Sequence, residues 1–183
     1  MNRFISLLRG INVSGQKKIL MANLKNLYVE AGCQNVITYI QSGNVIFDFP
    51  SDDKEKIKTI LEKAIESKYS FRVPIDLRTD DEIEKIYNAL PFENVSLEED
   101  GSRILIGFMS RSPEPDEITS LRKFQHETED LIFKDDILYL HCPNGFGKSK
   151  LSNANIENKL NVVSTTRNLK TVAKLCALSQ GGS

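Results

Sequence analysis

Four polar or cationic clusters are the parts of this 183-residue chain that could do chemistry. Arg9 opens the loop Arg9-Gly10-Ile11-Asn12-Val13-Ser14-Gly15, where a planar guanidinium could hold a carboxylate or phosphate through two parallel hydrogen bonds. A salt bridge to one of the chain's own acidic groups is the equal alternative. Gln41-Ser42-Gly43-Asn44 sits between two runs of β-branched and aromatic residues. Ser and Asn bond their local backbone and Asn tolerates positive φ, so turn formation accounts for the tetrapeptide taken by itself. Thr165-Thr166-Arg167-Asn168 reads as the start of the last helix. The macrodipole disfavours a cation there, and either a bound anion or an Asp or Glu partner would reconcile Arg167 with its cap-forming neighbours.

The fourth cluster, Gly145-Phe146-Gly147-Lys148-Ser149, resembles the end of a phosphate-binding P-loop. The full pattern needs glycine five positions before Gly147, where Cys142 stands instead. What survives is a glycine-rich loop after a strand, with Lys148 and Lys150 able to reach an anion or simply solvated.

Acid–base and nucleophilic constellations are scarce. His141 and Cys142 are adjacent on an expected strand and point to opposite faces, while His126 falls in an expected helical region. Cys33 and Cys176 fall on apolar helix faces or ends that suggest packing. Three widely spaced cysteines suggest reduced thiols rather than a disulfide frame or zinc site. No metal site and no cofactor is expected.

The elements that must position these clusters follow from hydrophobic period. Phe4–Leu8 reads as a buried strand, and Leu20, Leu24, Leu27, Tyr28 and Ala31 line a helix stopped by Gly32. Strands 36–40 and 44–49 make a hairpin, and Asp52 with Glu55 resembles a capping box opening a helix faced by Ile57, Ile60, Leu61, Ala64 and Ile65. Phe71, Val73, Ile75 and Leu77 alternate as a strand before Thr79 and Glu82 cap a helix through Leu90. The second half repeats the order: strand 103–109, helix 115–124, strands 131–133 and 137–142, helix 152–160, a short strand 162–164 and a last helix carrying Leu169, Val172, Ala173 and Cys176. Each half is thus β-α-β-β-α-β-α. The fold class expected is α+β, with two tandem ferredoxin-like (split β-α-β) halves, antiparallel-rich sheets and one extra helix each. The expected boundaries are 1–92, an acidic linker at 93–102, 103–180, and a flexible tail at 181–183.

Net charge of −1 conceals an uneven distribution. Arg3, Arg9, Lys17, Lys18 and Lys25 face Glu30 alone up to residue 47, and Lys148, Lys150, Lys159, Arg167, Lys170 and Lys174 face only Glu157 from residue 141 onward. The middle is correspondingly acidic, and joining the two ends would give a local basic surface. A pI near 6.2 argues against broad nonspecific nucleic-acid binding. Tyr39 and Phe47 are the aromatics that could stack bases if a sheet face read RNA. No apolar run reaches bilayer length, so no membrane association and a cytoplasmic location are expected; the sequence carries no signal for an oligomeric state.

Leu7-Leu8-Arg9-Gly10-Ile11-Asn12-Val13, Thr38-Tyr39-Ile40-Gln41-Ser42-Gly43-Asn44-Val45 and Thr165-Thr166-Arg167-Asn168 together resemble the bacterial family called domain of unknown function 1697. The resemblance implies that Arg9, Asn12, Gln41, Ser42, Gly43, Asn44, Thr166, Arg167 and Asn168 belong to family motifs, and it implies no mechanism. Ser14-Gly15 departs from the two glycines more usual in the family. The reading expected is a binding module for an anionic small molecule or RNA, held between the halves by Arg9, Asn12, Gln41, Ser42, Asn44, Lys148, Thr166, Arg167 and Asn168. The alternatives are an enzyme stabilising negative charge with the same groups, and an interaction protein in which they are braces.

Overall fold

Local pattern and long-range pairing meet in a computed structural model that describes residues 1–181; Gly182 and Ser183 of the expected tail lie outside the described residues. The first run of elements is β1 (Asn2–Leu8), α1 (Met21–Glu30), β2 (Gln34–Tyr39), β3 (Asn44–Phe49), α2 (Lys54–Tyr69), β4 (Ile75–Thr79) and α3 (Asp80–Asn88). The second is β5 (Ile104–Met109), α4 (Pro115–Arg122), β6 (Asp130–Lys134), β7 (Ile137–His141), α5 (Asn153–Leu160), β8 (Ser164–Asn168) and α6 (Leu169–Gln180). The class is mixed α+β, with two four-stranded antiparallel sheets and six α-helices among the described residues.

Two units result: Met1–Glu84 with the segment from Leu175 onward, and Lys85–Lys174. In the first, strands run in the order β2-β3-β1-β4. Period-two alternation sends Phe4, Leu8, Val45, Phe47, Ile75 and Leu77 to one face, where Leu24, Leu27 and Tyr28 of α1 and Ile57, Leu61 and Ile65 of α2 complete a buried core. Ser6 and Tyr28 satisfy each other inside it, their hydroxyl oxygens 2.8 Å apart. In the second unit the order is β6-β7-β5-β8. Leu105, Met109, Leu131, Leu138 and Leu140 pack there with Leu121 of α4 and Ile156 and Leu160 of α5.

Several local expectations are corrected. Leu20 does not join the α1 face: it is the residue before the helix, in extended backbone, and stands exposed. The cap of α2 is Asp53, whose carboxylate accepts from Lys56 N at 3.0 Å, rather than Asp52. Phe71 and Val73 precede β4, which begins at Ile75 opposite Leu8 of β1, just after Pro74, which has no N–H to give to the ladder. The strand expected at 162–164 is instead β8, so Arg167 lies in a strand opposite Ile106 and not at a helix terminus. The macrodipole argument for an anion at Arg167 therefore lapses. Phe47 is fully buried beneath α1 and cannot stack bases.

The capping box at α3 is as expected. Thr79 N donates to Glu82 Oε2 at 2.8 Å, and Glu82 N donates to Thr79 Oγ1 at 3.2 Å. Burial acts to raise the Glu82 carboxyl, but the Lys54 ammonium, the Thr79 N–H and the Arg78 charge outweigh it and hold the group below its ordinary value. A depressed folded value contributes stability that is complete above the unfolded pKa and is lost as pH falls through the lower, folded one. Glu82→Gln should therefore lower the melting temperature at neutral pH, and the gap from the parent protein should close as acid protonates the carboxylate. Thermal melts of both proteins from neutral to acid pH check it.

Candidate functional site

The nine site residues expected from sequence divide between the units, and each unit assigns them different work. In the first, β1 ends in a loop that must fold back before α1, and positive φ values at Asn12, Ser14, Gly15 and Lys17 carry the reversal. Ser14 and Gly15 take left-handed geometry between Val13 and Gln16, whose N–H donates to Val13 O at 2.9 Å. The pair thus works as a tight turn despite the serine. Asn12 ties this loop down: its Nδ2 donates to Ile19 O at 2.9 Å and to Gln41 O at 2.8 Å, while its Oδ1 accepts from Ile19 N at 2.9 Å.

The hairpin tip is held in the same way. Buried Asn44 donates from Nδ2 to Tyr39 O at 2.9 Å and to Ser42 Oγ at 3.1 Å. Gly43 O accepts from Leu8 N at 2.8 Å. Arg9 is half-buried, and its backbone N–H donates to Pro74 O at 2.9 Å. Gln41 is exposed and contributes its carbonyl. Asn12, Ser42 and Asn44 are thus braces between β1, the loop and the β2–β3 turn.

In the second unit the Thr165–Asn168 cluster is similarly committed. Arg167, nearly buried, donates from Nη1 to Thr165 Oγ1 at 2.8 Å and to Thr166 O at 3.0 Å. Thr166 Oγ1 donates to Asn153 Oδ1 at 3.0 Å, and Asn168 Oδ1 caps α6 by accepting from Thr171 N at 2.9 Å.

Lys148 has a different setting. After β7 the chain turns at Gly145, with φ +90° and ψ 140°, a backbone that suits glycine, and a short 3₁₀ turn over Phe146–Lys148 follows. Opposite it, α4 ends at Arg122 and the chain closes a second turn in which His126 N donates to Glu129 Oε2 at 2.9 Å and Glu129 N donates to His126 O at 3.0 Å. Between these turns opens a cleft of about 410 Å³ whose lining includes Lys123, Phe124, His126, Asn144, Lys148 and Lys150. None of the three lysines has an ion-pair or side-chain hydrogen-bond partner among the described residues.

Two further groups shape its chemistry. His126 Nδ1 accepts from Thr128 N at 3.2 Å, which leaves the proton of the neutral ring on Nε2 as a donor. Glu129 also lines the cleft but is nearly buried and occupied by the His126 N–H. Behind the lining, burial pushes the Cys142 thiol up to about 11, against a lowering hydrogen bond with Ser149. It is a packed thiol and not a nucleophile. Burial likewise pushes Cys33 up to about 12 and Cys176 up to about 11. No group of three His, Cys, Asp or Glu residues fit to hold a metal occurs among the described residues, and no helix there is long and apolar enough to cross a membrane.

Residues 1–139 match the family described as protein of unknown function (DUF1697). The chain belongs to the DUF1697 family. A comparison with curated proteins finds no match. Among solved structures the DUF1697 chain is similar to conserved bacterial protein SP0830 from Streptococcus pneumoniae, at 26% identity and a TM-score of 0.74, over 97% of this chain and 98% of that one. The match to the DUF1697 family ends within β7, so Lys148, Lys150 and the Thr165–Asn168 cluster lie beyond it.

Sequence reasoning found Lys148 and Lys150 but missed Lys123 and His126. Lys123 directly follows the last turn of α4, a common place for a cation beside helix carbonyls, and that position was its only local signal.

Proposed function

We propose that this DUF1697 protein is a binding module for a phosphate-bearing ligand, a nucleotide or RNA element, taken up in the cleft of its second unit. The observation that carries the reading is the convergence of Lys123, Lys148 and Lys150 on one cleft with their ammonium groups uncommitted. His126 Nε2 and the glycine-rich turn add donors that suit phosphate oxygens. Of the residues expected from sequence, Lys148 keeps a ligand role in this reading, while Asn12, Ser42, Asn44, Thr166 and Asn168 are braces. Arg9, Gln41 and Arg167 receive no ligand role in it.

We also read each unit as a ferredoxin-like split β-α-β plan with one added helix, the pair forming a tandem duplication. The support is the same strand order in both sheets, second-third-first-fourth by position in each half, with antiparallel ladders throughout.

Titration with inorganic pyrophosphate, followed by calorimetry and thermal melting, tests the site. The parent protein should melt higher as ligand is added, with about 2.7 kcal/mol of stabilisation at a hundredfold excess over Kd. The three lysines are exposed, so Lys123→Ala, Lys148→Ala and Lys150→Ala should leave the melt without ligand unchanged. Each should weaken binding by about fivefold, or ~1 kcal/mol. Binding that persists in the triple variant, or no response to pyrophosphate or to a short RNA, would refute the proposal.

A further inference from the structure

A second, independent feature lies at the loop end of the first unit. Exposed large hydrophobics are ordinary when scattered, so their grouping is what carries information. Val13 is 59% exposed, Leu20 67% and Ile40 46%. Val13 adjoins Asn12, Leu20 adjoins Ile19 and Ile40 adjoins Gln41, and the single Asn12 side chain hydrogen-bonds both Ile19 and Gln41. One brace therefore holds together the backbone segments that carry all three apolar residues. Ile40 is also held at φ +51°. A β-branched residue in left-handed backbone is a strained choice where Asn or Gly would sit at ease, and an exposed one recovers nothing by packing within its own chain. The flank is basic: exposed Lys18 lies between Val13 and Leu20, and no acidic residue occurs before Glu30.

A surface of complementary chemistry stands on the second unit. Leu97 is 41% exposed and is followed by exposed Glu98 and Glu99. The turn that presents it is prefolded: Asp100 N donates to Ser96 O at 2.8 Å, Ser96 N to Asp100 Oδ2 at 3.0 Å and Glu99 N to Ser96 Oγ at 3.3 Å. A methyl group at Gly101 would strike the Leu97 carbonyl, so the turn is locked at its base as well. It is a rigid apolar knob with an acidic rim, which loses little conformational freedom on docking.

We propose that the Val13–Leu20–Ile40 face binds the Leu97–Glu99 knob of a second copy of this chain. Both surfaces are exposed, and opposite charge selects one for the other. The contact is heterologous, with two different patches meeting, and its small size makes it weak and concentration-dependent.

Sedimentation velocity of the full chain, over a concentration series at low and high salt, tests this. Weight-average mass should rise with concentration and fall with added salt. Leu20→Ser and Ile40→Asn should each weaken association by about tenfold. Ile40→Asn should at the same time raise the melting temperature by about 2–4 °C, since it relieves backbone strain; a merely structural Ile40 would not join those two effects. Lys18→Glu alone and Glu98→Lys alone should weaken the contact, and the two together should restore it. A protein monomeric throughout would overturn the proposal, as would association indifferent to these changes, or charge reversals that do not rescue one another. So would co-sedimentation with phosphatidylglycerol vesicles without self-association, since the face would then belong to a membrane surface.

Discussion

Gly43→Ala is expected to lower the free energy of unfolding by about 3 kcal/mol. Two costs combine in a single methyl group. Gly43 sits at φ +78°, where an L-residue is penalised by about 1–2 kcal/mol. Its Cβ would also lie 2.5 Å from Ile11 Cδ1 and 2.9 Å from Leu8 Cβ. Both neighbours are fully buried, so neither can swing into solvent, and overpacking of this kind costs about 1–3 kcal/mol. Relief by shifting the backbone would stretch the bond from Leu8 N to Gly43 O, which joins the turn to β1. Urea unfolding should show a lower midpoint with an unchanged slope. A loss below about 1 kcal/mol would mean that the turn is softer than its contacts indicate.

Asn12→Ala is the second large effect, again about 3 kcal/mol. Three hydrogen bonds disappear, stranding the N–H and carbonyl of buried Ile19 and returning the exposed Gln41 carbonyl to water, and alanine tolerates φ +56° less well than asparagine. Asn12→Gly separates the terms, since it removes the bonds while accepting the backbone angle. Asn12→Asp should do at least as much harm as alanine, because it turns a carboxylate toward two carbonyl oxygens. If Asn12 is a brace, all three variants lose stability and still bind pyrophosphate in the second unit's cleft. A variant with parental stability but no ligand binding would return Asn12 to the ligand site.

These expectations change what the shared motifs mean. Arg9–Val13 and Thr38–Val45 look like binding loops because they are polar and glycine-rich. In the folded chain most of that polarity is spent internally. Asn12 and Asn44 satisfy backbone groups that a loop and a turn would otherwise leave bare, and Gly43 permits the close approach of Leu8 and Ile11. The recognisable motif of the first unit is thus an instruction for joining β1 to its neighbours.

Much of the architecture was legible in the chain because it depends on local periodicity. The 3,4,7,8 spacing of Ile57, Ile60, Leu61, Ala64 and Ile65 describes a helix with one buried stripe, and Ile57, Leu61 and Ile65 are fully buried. Thr79 with Glu82 spelled a capping box within four residues. The element order β-α-β-β-α-β-α in each half followed from such signals alone. Tertiary structure decided the rest, for physical reasons of range. Arg167 was read into a helix because cap-forming residues surround it; pairing of β8 with β5, some sixty residues distant, extends the strand through Asn168. Leu20 matched the apolar period of α1, but the helix begins one residue later and leaves it in solvent. Lys123 joins Lys148 and Lys150 only because the end of α4 and the loop after β7 fold toward one cleft. Residue types and their spacing determined which segments could be helices, strands and turns; which charges share a cleft, and which apolar side chains remain in water, was decided by contacts between residues far apart in the chain.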